Sequence, residues 1–217
     1  KNDYDMGKLL IDYNADLNKF GKHTTIITGD GRTATEFTPL HLAVEADELN
    51  FVKLIVDNSK NINLRDSDGL TPLLLACRIH TLFLPELQPD TNNNDLNGDD
   101  NLEIIKYLID HGADVNAQDS NETSPLIIAA NFNSNVLAEI LVSSPKIDLN
   151  IFTKHNLTPL HIACKKGNLE VVKTLCNGGD NINLNILGDE GSWTPLYSAT
   201  TKDQAEVMKV LITSGAD

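Results

Sequence analysis

Aromatic side chains and long apolar runs are both scarce in this 217-residue chain. Phe, Tyr and Trp together make up 5% of the residues, and Trp193 is the single tryptophan. No stretch of about 18 apolar residues would cross a bilayer, and no charged-then-apolar segment at the amino end resembles a cleaved signal peptide. The sequence therefore predicts an intracellular location, in the cytoplasm, the nucleus or both.

Cysteine is also scarce, with only Cys77, Cys164 and Cys176 present. They are too few and too widely spaced for a disulfide framework or a short-spaced metal-ligand pair, and we interpret them as inert core thiols. Residues 90–101 are rich in Asp and Asn, but a calcium loop needs glycine at its sixth position and glutamate at its twelfth, and here Asp95 and Asn101 stand there. The sequence predicts no metal and no cofactor.

Positive charge is the third scarcity: 17 Lys and Arg stand against 31 Asp and Glu, for a formal net charge of −14. A protein that binds phosphate backbones needs a stripe of Lys or Arg, whereas basic pairs here are isolated, as in Lys165-Lys166. Nucleic acid and anionic membranes are therefore excluded as predicted partners. The natural electrostatic complement is a protein with a basic surface, unless the acidic residues serve only solubility.

What the chain does contain is a repeated tetrapeptide. Thr-Pro-Leu-His begins at Thr38 and Thr158, and degenerate copies begin at Thr71, Ser124 and Thr194. The intervals between successive starts are 33, 53, 34 and 36 residues. An internal repeat near 33 residues is typical of stacked helical units, so the sequence indicates a binding surface more than a reaction.

An apolar helix that ends in a turn follows each tetrapeptide, most clearly at residues 101–116 and 168–179. Thr or Ser at the head of the first helix would cap its free N–H groups, and the adjacent Pro suits the first helical turn. Glycine just past the second helix, as at Gly112 and Gly179, would supply the left-handed residue that ends it. Each period therefore predicts a helix pair followed by a connection.

On these motifs the chain resembles the ankyrin-repeat family over nearly its whole length. The resemblance implies an all-α solenoid in which each repeat has two antiparallel helices and a β-hairpin finger. It implies a single domain, 1–217, built from a partial repeat and five two-helix repeats: 1–37, 38–70, 71–123, 124–157, 158–193 and 194–217. No polar capping unit stands at either end, so we expect a fragment of a larger protein.

Three breaks in the period distinguish this chain. A 20-residue insertion, 81–100, separates the two helices of one repeat; its first half is apolar and its second half acidic. The first finger, 18–38, is 12 residues longer than the span 116–124, and its Thr- and Ile-rich sequence predicts an elongated hairpin. The finger 183–194 is three residues longer than that span. Each break is either a tolerated surface insertion or a partner contact.

No reaction chemistry is predicted. Gly29-Asp30-Gly31 lacks the strand-turn-helix context of a phosphate loop. His41 and His161 are both the fourth residue of the tetrapeptide, and other repeats have Leu74, Ile127 and Tyr197 there. By the resemblance, such a histidine joins neighbouring loops through hydrogen bonds, so a shared catalytic role is not expected.

The sequence therefore predicts a monomeric binding module, without catalytic activity, whose partner is a protein. The resemblance places recognition on the fingers and on the exposed side of the first helices. The finger candidates are Arg65, Ser67, Asp68, Gln118, Ser120, Asn121, Glu122, Phe152, Lys154, His155, Asp189, Glu190 and Trp193. The helix candidates are Glu45, Arg78, Asn131, Phe132, Lys165 and Lys166.

Two questions stay open at this stage. Trp193 is either an interface anchor or a residue that packs against the neighbouring finger, as the apolar residues Phe37, Leu70 and Leu157 at its position favour. The module itself is a scaffold or recruitment domain, a regulatory domain that inhibits or gates an enzyme such as a cyclin-dependent kinase, or the non-catalytic part of a multidomain enzyme or secreted effector.

Overall fold

The computed structural model of the chain describes residues 8, 12–13, 15–22, 36–82, 98–179, 181–188, 193–200 and 204–217, and every structural statement concerns these residues. The chain divides into two compact units, Lys1–Asp114 (unit 1) and Val115–Asp217 (unit 2). Helices dominate both units, as the sequence predicts.

Among the described residues of unit 1 are two short strands and four helices whose bounds are both described. The strands and helices are β1 Gly21–Lys22, β2 Glu36–Phe37, α1 Pro39–Glu45, α2 Leu49–Asn58, α3 Pro72–Leu82 and α4 Gly98–Asp110. The strands are antiparallel, with Gly21 opposite Phe37, so the described ends of the first finger pair as a hairpin. The middle of that predicted hairpin, 23–35, lies outside the described residues.

Unit 2 contains six helices among its described residues. They are α5 Pro125–Asn131, α6 Asn135–Val142, α7 Pro159–Lys166, α8 Leu169–Cys176, α9 Pro195–Thr200 and α10 Ala205–Thr213. Each helix packs against the other helix of its pair, and each also packs against the equivalent helix of the adjacent pair, as α6 does on α8 and α8 on α10. Unit 2 is thus a stack of three helix pairs.

The first helix of each pair begins where the tetrapeptide predicts. The hydroxyl groups of Thr38, Ser124 and Thr158 each accept a hydrogen bond from the backbone N–H three residues on, at 3.3–3.4 Å. Thr71 and Thr194 make the same bond at 3.3 and 3.2 Å. These bonds satisfy N–H groups that the helix leaves free, which confirms the predicted caps.

Small residues let the stacked first helices approach each other. Five alanines stand at one position of the repeat and all are almost completely buried: Ala43, Ala76, Ala129, Ala163 and Ala199. Buried leucines and β-branched residues of the second helices surround them, and each such side chain contributes about 1.5–3 kcal/mol by leaving water. One repeat cannot bury these faces alone, so stability comes from the contacts between neighbours.

Both ends of the predicted insertion 81–100 are helical. Helix α3 runs to Leu82, which makes it three residues longer than α7, and α4 begins at Gly98. The first helix therefore continues into the first two residues of the insertion. Residues 83–97, with most of the acidic half, lie outside the described residues. Within the described part of the chain, no helix is long and apolar enough to cross a membrane.

Candidate binding surface

A row of asparagines fixes the root of each finger to the next repeat. The Asn116 Nδ2 group donates to the Lys146 carbonyl at 2.8 Å, and its Oδ1 accepts from the Asp148 N–H at 2.9 Å. Asn63 and Asn150 make the equivalent pair of bonds at 2.7–3.2 Å. Because a single planar amide satisfies one donor and one acceptor of the next repeat, it sets the position of one finger relative to the other.

The asparagine row also corrects the register of the last described finger. Asn185, and not Asn183, takes the role of Asn150, because its Oδ1 accepts from the Asp217 N–H at 2.9 Å. The distance from this asparagine to the next helix cap, eight residues elsewhere, is then nine. The prediction of three extra residues in the finger 183–194 is therefore wrong: one lies in the finger, and the other two precede Asn185.

Three finger tips close with the same side-chain-to-backbone turn. The Asp66 Oδ1 atom accepts from the backbone N–H groups of Asp68 and Leu70 at 2.9 and 2.7 Å. Asp119 and Thr153 accept the equivalent bonds with a side-chain oxygen. Such turns are the usual role of Asp and Thr in tight loops. They give the tip backbone internal partners, and Ser67, Ser120 and Lys154 at the same tips are exposed.

In unit 1 the predicted finger residues differ in exposure. Arg65 and Ser67 are exposed at the tip, and the Arg65 guanidinium donates to the Gly69 carbonyl at 2.8 Å. Asp68 is half-buried. Burial raises the pKa of the Asp66 carboxyl, although the Leu70 and Asp68 N–H groups oppose that shift.

In unit 2 the structure separates supporting residues from exposed ones. Gln118 is half-buried, and its Nε2 group donates both to the Glu122 carbonyl at 2.8 Å and to the Phe152 carbonyl of the next finger at 2.7 Å. Asn121 is half-buried too. The exposed finger candidates are Ser120, Glu122, Phe152, Lys154 and His155. Asp189 and Glu190 lie outside the described residues.

Trp193 is held on both its backbone and its ring. Its N–H and carbonyl pair with Gly188, and its ring lies 5.3 Å from the Tyr197 ring, centroid to centroid. Gly188 is required because an added Cβ would lie 2.8 Å from both the Asn156 carbonyl and the His161 ring. The half-buried indole therefore packs on the helix that follows it.

Among the first-helix candidates, only the two lysines of α7 are exposed. Lys166 donates to the Asn131 carbonyl at 2.9 Å, and Lys165 also faces solvent. Glu45, Arg78, Asn131 and Phe132 are half-buried. The exposed candidates of unit 2 thus include Phe152, Lys154, His155 and the two α7 lysines. Nothing in this geometry tests recognition, which stays a prediction for every candidate.

The repeat histidines are structural. His41 Nε2 lies 3.0 Å from the Leu70 carbonyl, and its Nδ1 lies 2.8 Å from the Thr38 hydroxyl. A carbonyl only accepts, so Nε2 carries the proton and Nδ1 accepts from the hydroxyl. Burial lowers the pKa of His41 to about 4, so the ring is neutral at pH 7. His161 makes the same bonds with Trp193 and Thr158, which confirms the predicted loop-joining role.

The cysteines carry no reactive signature. Cys77 and Cys164 are fully buried, and that burial raises the pKa of both thiols. Burial also raises the pKa of the half-buried Cys176. A reactive cysteine needs a lowered pKa and access to solvent. Over the described residues, no cluster of three or more His, Cys, Asp or Glu is arranged to hold a metal ion.

Sequence reasoning missed the asparagine row and the exposure of three apolar side chains in the last part of unit 2. The row leaves a signal, since an asparagine stands eight residues before three of the helix caps, at Asn63, Asn116 and Asn150. Leu187, Tyr197 and Ile212 are exposed although their positions are apolar by pattern. Only the stacking order of the repeats reveals that exposure.

Comparison with known families agrees with this architecture. The description "Ankyrin repeats (3 copies)" matches residues 1–95 and 151–217, and "Ankyrin repeats (many copies)" matches residues 108–160. The chain belongs to the ankyrin-repeat family. Ankyrin repeats are a general protein-interaction module, and the repeats themselves are generally non-catalytic.

Similar curated proteins are diverse in name and length. The chain is 30% identical to the putative ankyrin repeat protein YahD of Escherichia coli over 81% of the chain and 78% of YahD. It is 27% identical to transient receptor potential cation channel subfamily A member 1 of Homo sapiens, over 82% of the chain and 15% of the channel. It is also 27% identical to palmitoyltransferase AKR1 of Lachancea kluyveri, over 82% of the chain. The chain spans less than a quarter of either of these two proteins.

Proposed function

We propose that the chain is a protein–protein interaction module, a scaffold or recruitment domain that holds a protein partner on its fingers and first helices. The observation that carries this proposal is the construction of the finger tips. Their backbone groups bond to their own Asp or Thr side chain, while charged and aromatic side chains beside them are exposed. A rigid scaffold that presents variable side chains is the usual arrangement of a recognition surface.

The recognition centre in unit 2 is the finger that carries Phe152, Lys154 and His155. Phe152 is 38% exposed, and the Gln118 amide holds its carbonyl in place. An aromatic side chain on a fixed backbone binds with little loss of conformational freedom, which suits it as an anchor. The polar neighbours Lys154 and His155 would form the rim around that anchor.

A basic partner surface is a further part of the proposal, and it concerns unit 1. Residues 1–114 include 20 acidic and 10 basic residues, a net charge of −10, while residues 115–217 include 11 and 7, a net charge of −4. Unit 1 therefore offers the stronger field for a cationic partner. Association with such a partner should slow steeply as salt rises, because screening shortens the range of the field. We also propose a monomeric module that works in the cytoplasm or nucleus.

The finger proposal is tested by affinity capture with quantitative mass spectrometry. The test variant combines Phe152→Ala, Lys154→Ala and His155→Ala. The matched control combines Glu170→Ala and Lys173→Ala, which removes an exposed ion pair from α8 of the same unit. The proposal expects the finger variant to lose a partner that the wild type and the control retain, with equal helical content in all three. Retention of every partner by the folded finger variant would refute it.

The second candidate function is the non-catalytic repeat region of a multidomain protein. Its support is that two relatives are, by name, a palmitoyltransferase and a cation channel, and that the chain matches only a small share of each. In that setting the repeats would recruit a substrate or gate the attached domain. Sequencing the complete coding region tests this: a catalytic or channel domain in the same reading frame supports it, and a reading frame of repeats alone contradicts it.

A further inference from the structure

The fourth residue of the tetrapeptide changes exposure abruptly at the last described repeat of unit 2. Ile127 and His161 are 4% and 1% exposed, whereas Tyr197 is 48% exposed. The His161 Nε2 group donates to the carbonyl of Trp193, the residue just before the next helix cap. A following repeat therefore covers this position, and Tyr197 has no such cover among the described residues.

The second helices show the same change. Val142, Cys176 and Ile212 share one repeat position. Val142 packs so closely on Gly178 of the next repeat that an added glycine Cβ would lie 3.0 Å from Val142 Cγ1. The Cys176 thiol hydrogen-bonds to Ser214, which stands one repeat after Gly178 at the same position. Ile212 continues this series, and it is 56% exposed.

The fingers supply a third series at one repeat position, Gln118, Phe152 and Leu187. Gln118 reaches the Phe152 carbonyl of the next finger, so side chains at this position lie beside the finger that follows. Leu187 is 53% exposed. In each of the three series the last member is a large apolar residue, and at least one earlier member contacts the next repeat: His161, Val142 and Cys176, and Gln118.

We propose that Leu187, Tyr197 and Ile212 form a stacking face for a further ankyrin-type repeat. The occupant is a helix pair with its finger, seated on repeat 194–217 as that repeat is seated on 158–193. It presents a backbone carbonyl to the Tyr197 hydroxyl, as Trp193 presents its carbonyl to the His161 ring. It also places a small residue against Ile212, as Gly178 lies against Val142. The face continues an interface that the structure already contains, and that continuity identifies the occupant.

The outer side of repeat 194–217 agrees with this proposal. A repeat that ends a stack needs a polar outer face for solubility. Repeat 194–217 instead places two aliphatic side chains and one aromatic side chain there, all about half exposed. Its chemistry is that of an internal repeat.

The test adds a repeat in register and follows the single tryptophan. A copy of residues 149–183 is attached directly after Asp217, because Asp148 and Asp217 hold the same position: each donates its N–H to a row asparagine at 2.9 Å. The copy contains no tryptophan, so Trp193, whose ring lies against Tyr197, remains the only indole. The expected result is at least a twofold decrease in acrylamide quenching of Trp193. Amide hydrogen exchange over 204–216 should also slow at least tenfold.

Two controls make the outcome decisive. The same extended chain with Ala163→Pro inside the copy should show neither effect, and the extended chain with Tyr197→Lys and Ile212→Lys should lose both. A single repeat cannot bury its own apolar face, so an attached copy that stays unfolded also counts against the proposal. A dimer of the 217-residue chain in sedimentation that Tyr197→Lys dissociates would overturn it too, since the face would then bind a second copy.

Discussion

Units 1 and 2 both join neighbouring repeats through asparagine amides, but the bonded residues are separated by very different lengths of chain. In unit 2, Asn116 and Asn150 bond to backbone groups 30 to 33 residues away. In unit 1, Asn63 reaches Gly112 and Asp114, 49 and 51 residues away. The extra length of unit 1 lies between α3 and α4, so it does not interrupt the bonds at the finger root. Repeat stacking therefore tolerates an insertion at the helix–helix turn.

The largest expected effect comes from the buried leucines of the second helices, because truncating them breaks the stack in either unit. Leu108→Ala in unit 1 and Leu141→Ala in unit 2 each remove a fully buried side chain. Each should lower the free energy of unfolding by about 2–5 kcal/mol. Urea unfolding gives the magnitude, and hydrogen exchange shows its range. Faster exchange confined to the mutated unit means that the units unfold separately, and equal acceleration in both contradicts that separation.

The next largest effect concerns stability at acid pH. The test replaces His41 with leucine, the residue that the following repeat has at this position. The folded pKa of His41, about 4, lies below its ordinary value near 6.5, so the unfolded state binds the proton first. Stability from this group is complete above about pH 6.5 and falls by up to about 3 kcal/mol as pH drops to about 4. In His41→Leu this part of the pH dependence should disappear. The measurement is urea unfolding of both proteins at pH 7.0 and 4.5; equal losses would contradict it.

A smaller effect is expected from the asparagine row. Asn63→Ala and Asn116→Ala each remove two hydrogen bonds at partly exposed sites, which should cost about 1–3 kcal/mol. If the amide acts only by joining the finger roots, the two losses will be equal despite the different lengths of chain between the partners. Thermal unfolding of the two variants side by side measures this, with Asn50→Ala, an exposed asparagine of α2, as the control.

The smallest effect should follow from shortening the insertion. Replacing residues 83–97 with Gly-Ser-Gly should change stability by no more than about 1 kcal/mol, since loop-closure entropy varies slowly with length. A partner that binds the wild type but not this variant would identify the insertion as a contact site. A larger loss of stability would instead show that the insertion packs on the helices.

The helix caps were predictable because a Ser or Thr followed by Pro acts locally, and all five cap bonds form. The asparagine register was not, because Asn181, Asn183 and Asn185 alternate along the chain and only contact with Asp217 identifies the bonding one. The exposure of the candidate surface residues was unpredictable for the same reason. Repeat position alone does not distinguish exposed Phe152 from half-buried Gln118, whose amide bonds to two carbonyls. Tertiary partners decide these cases.

The two hydrogen bonds of the Gln118 amide limit how the fingers can be redesigned. One amide nitrogen connects the Glu122 carbonyl of its own finger to the Phe152 carbonyl of the next. A library that randomises one finger at a time would therefore also change the hydrogen bonding that supports the finger beside it. Adjacent fingers of unit 2 are better diversified as couples, with Gln118 kept constant, so that selection acts on a surface two fingers wide.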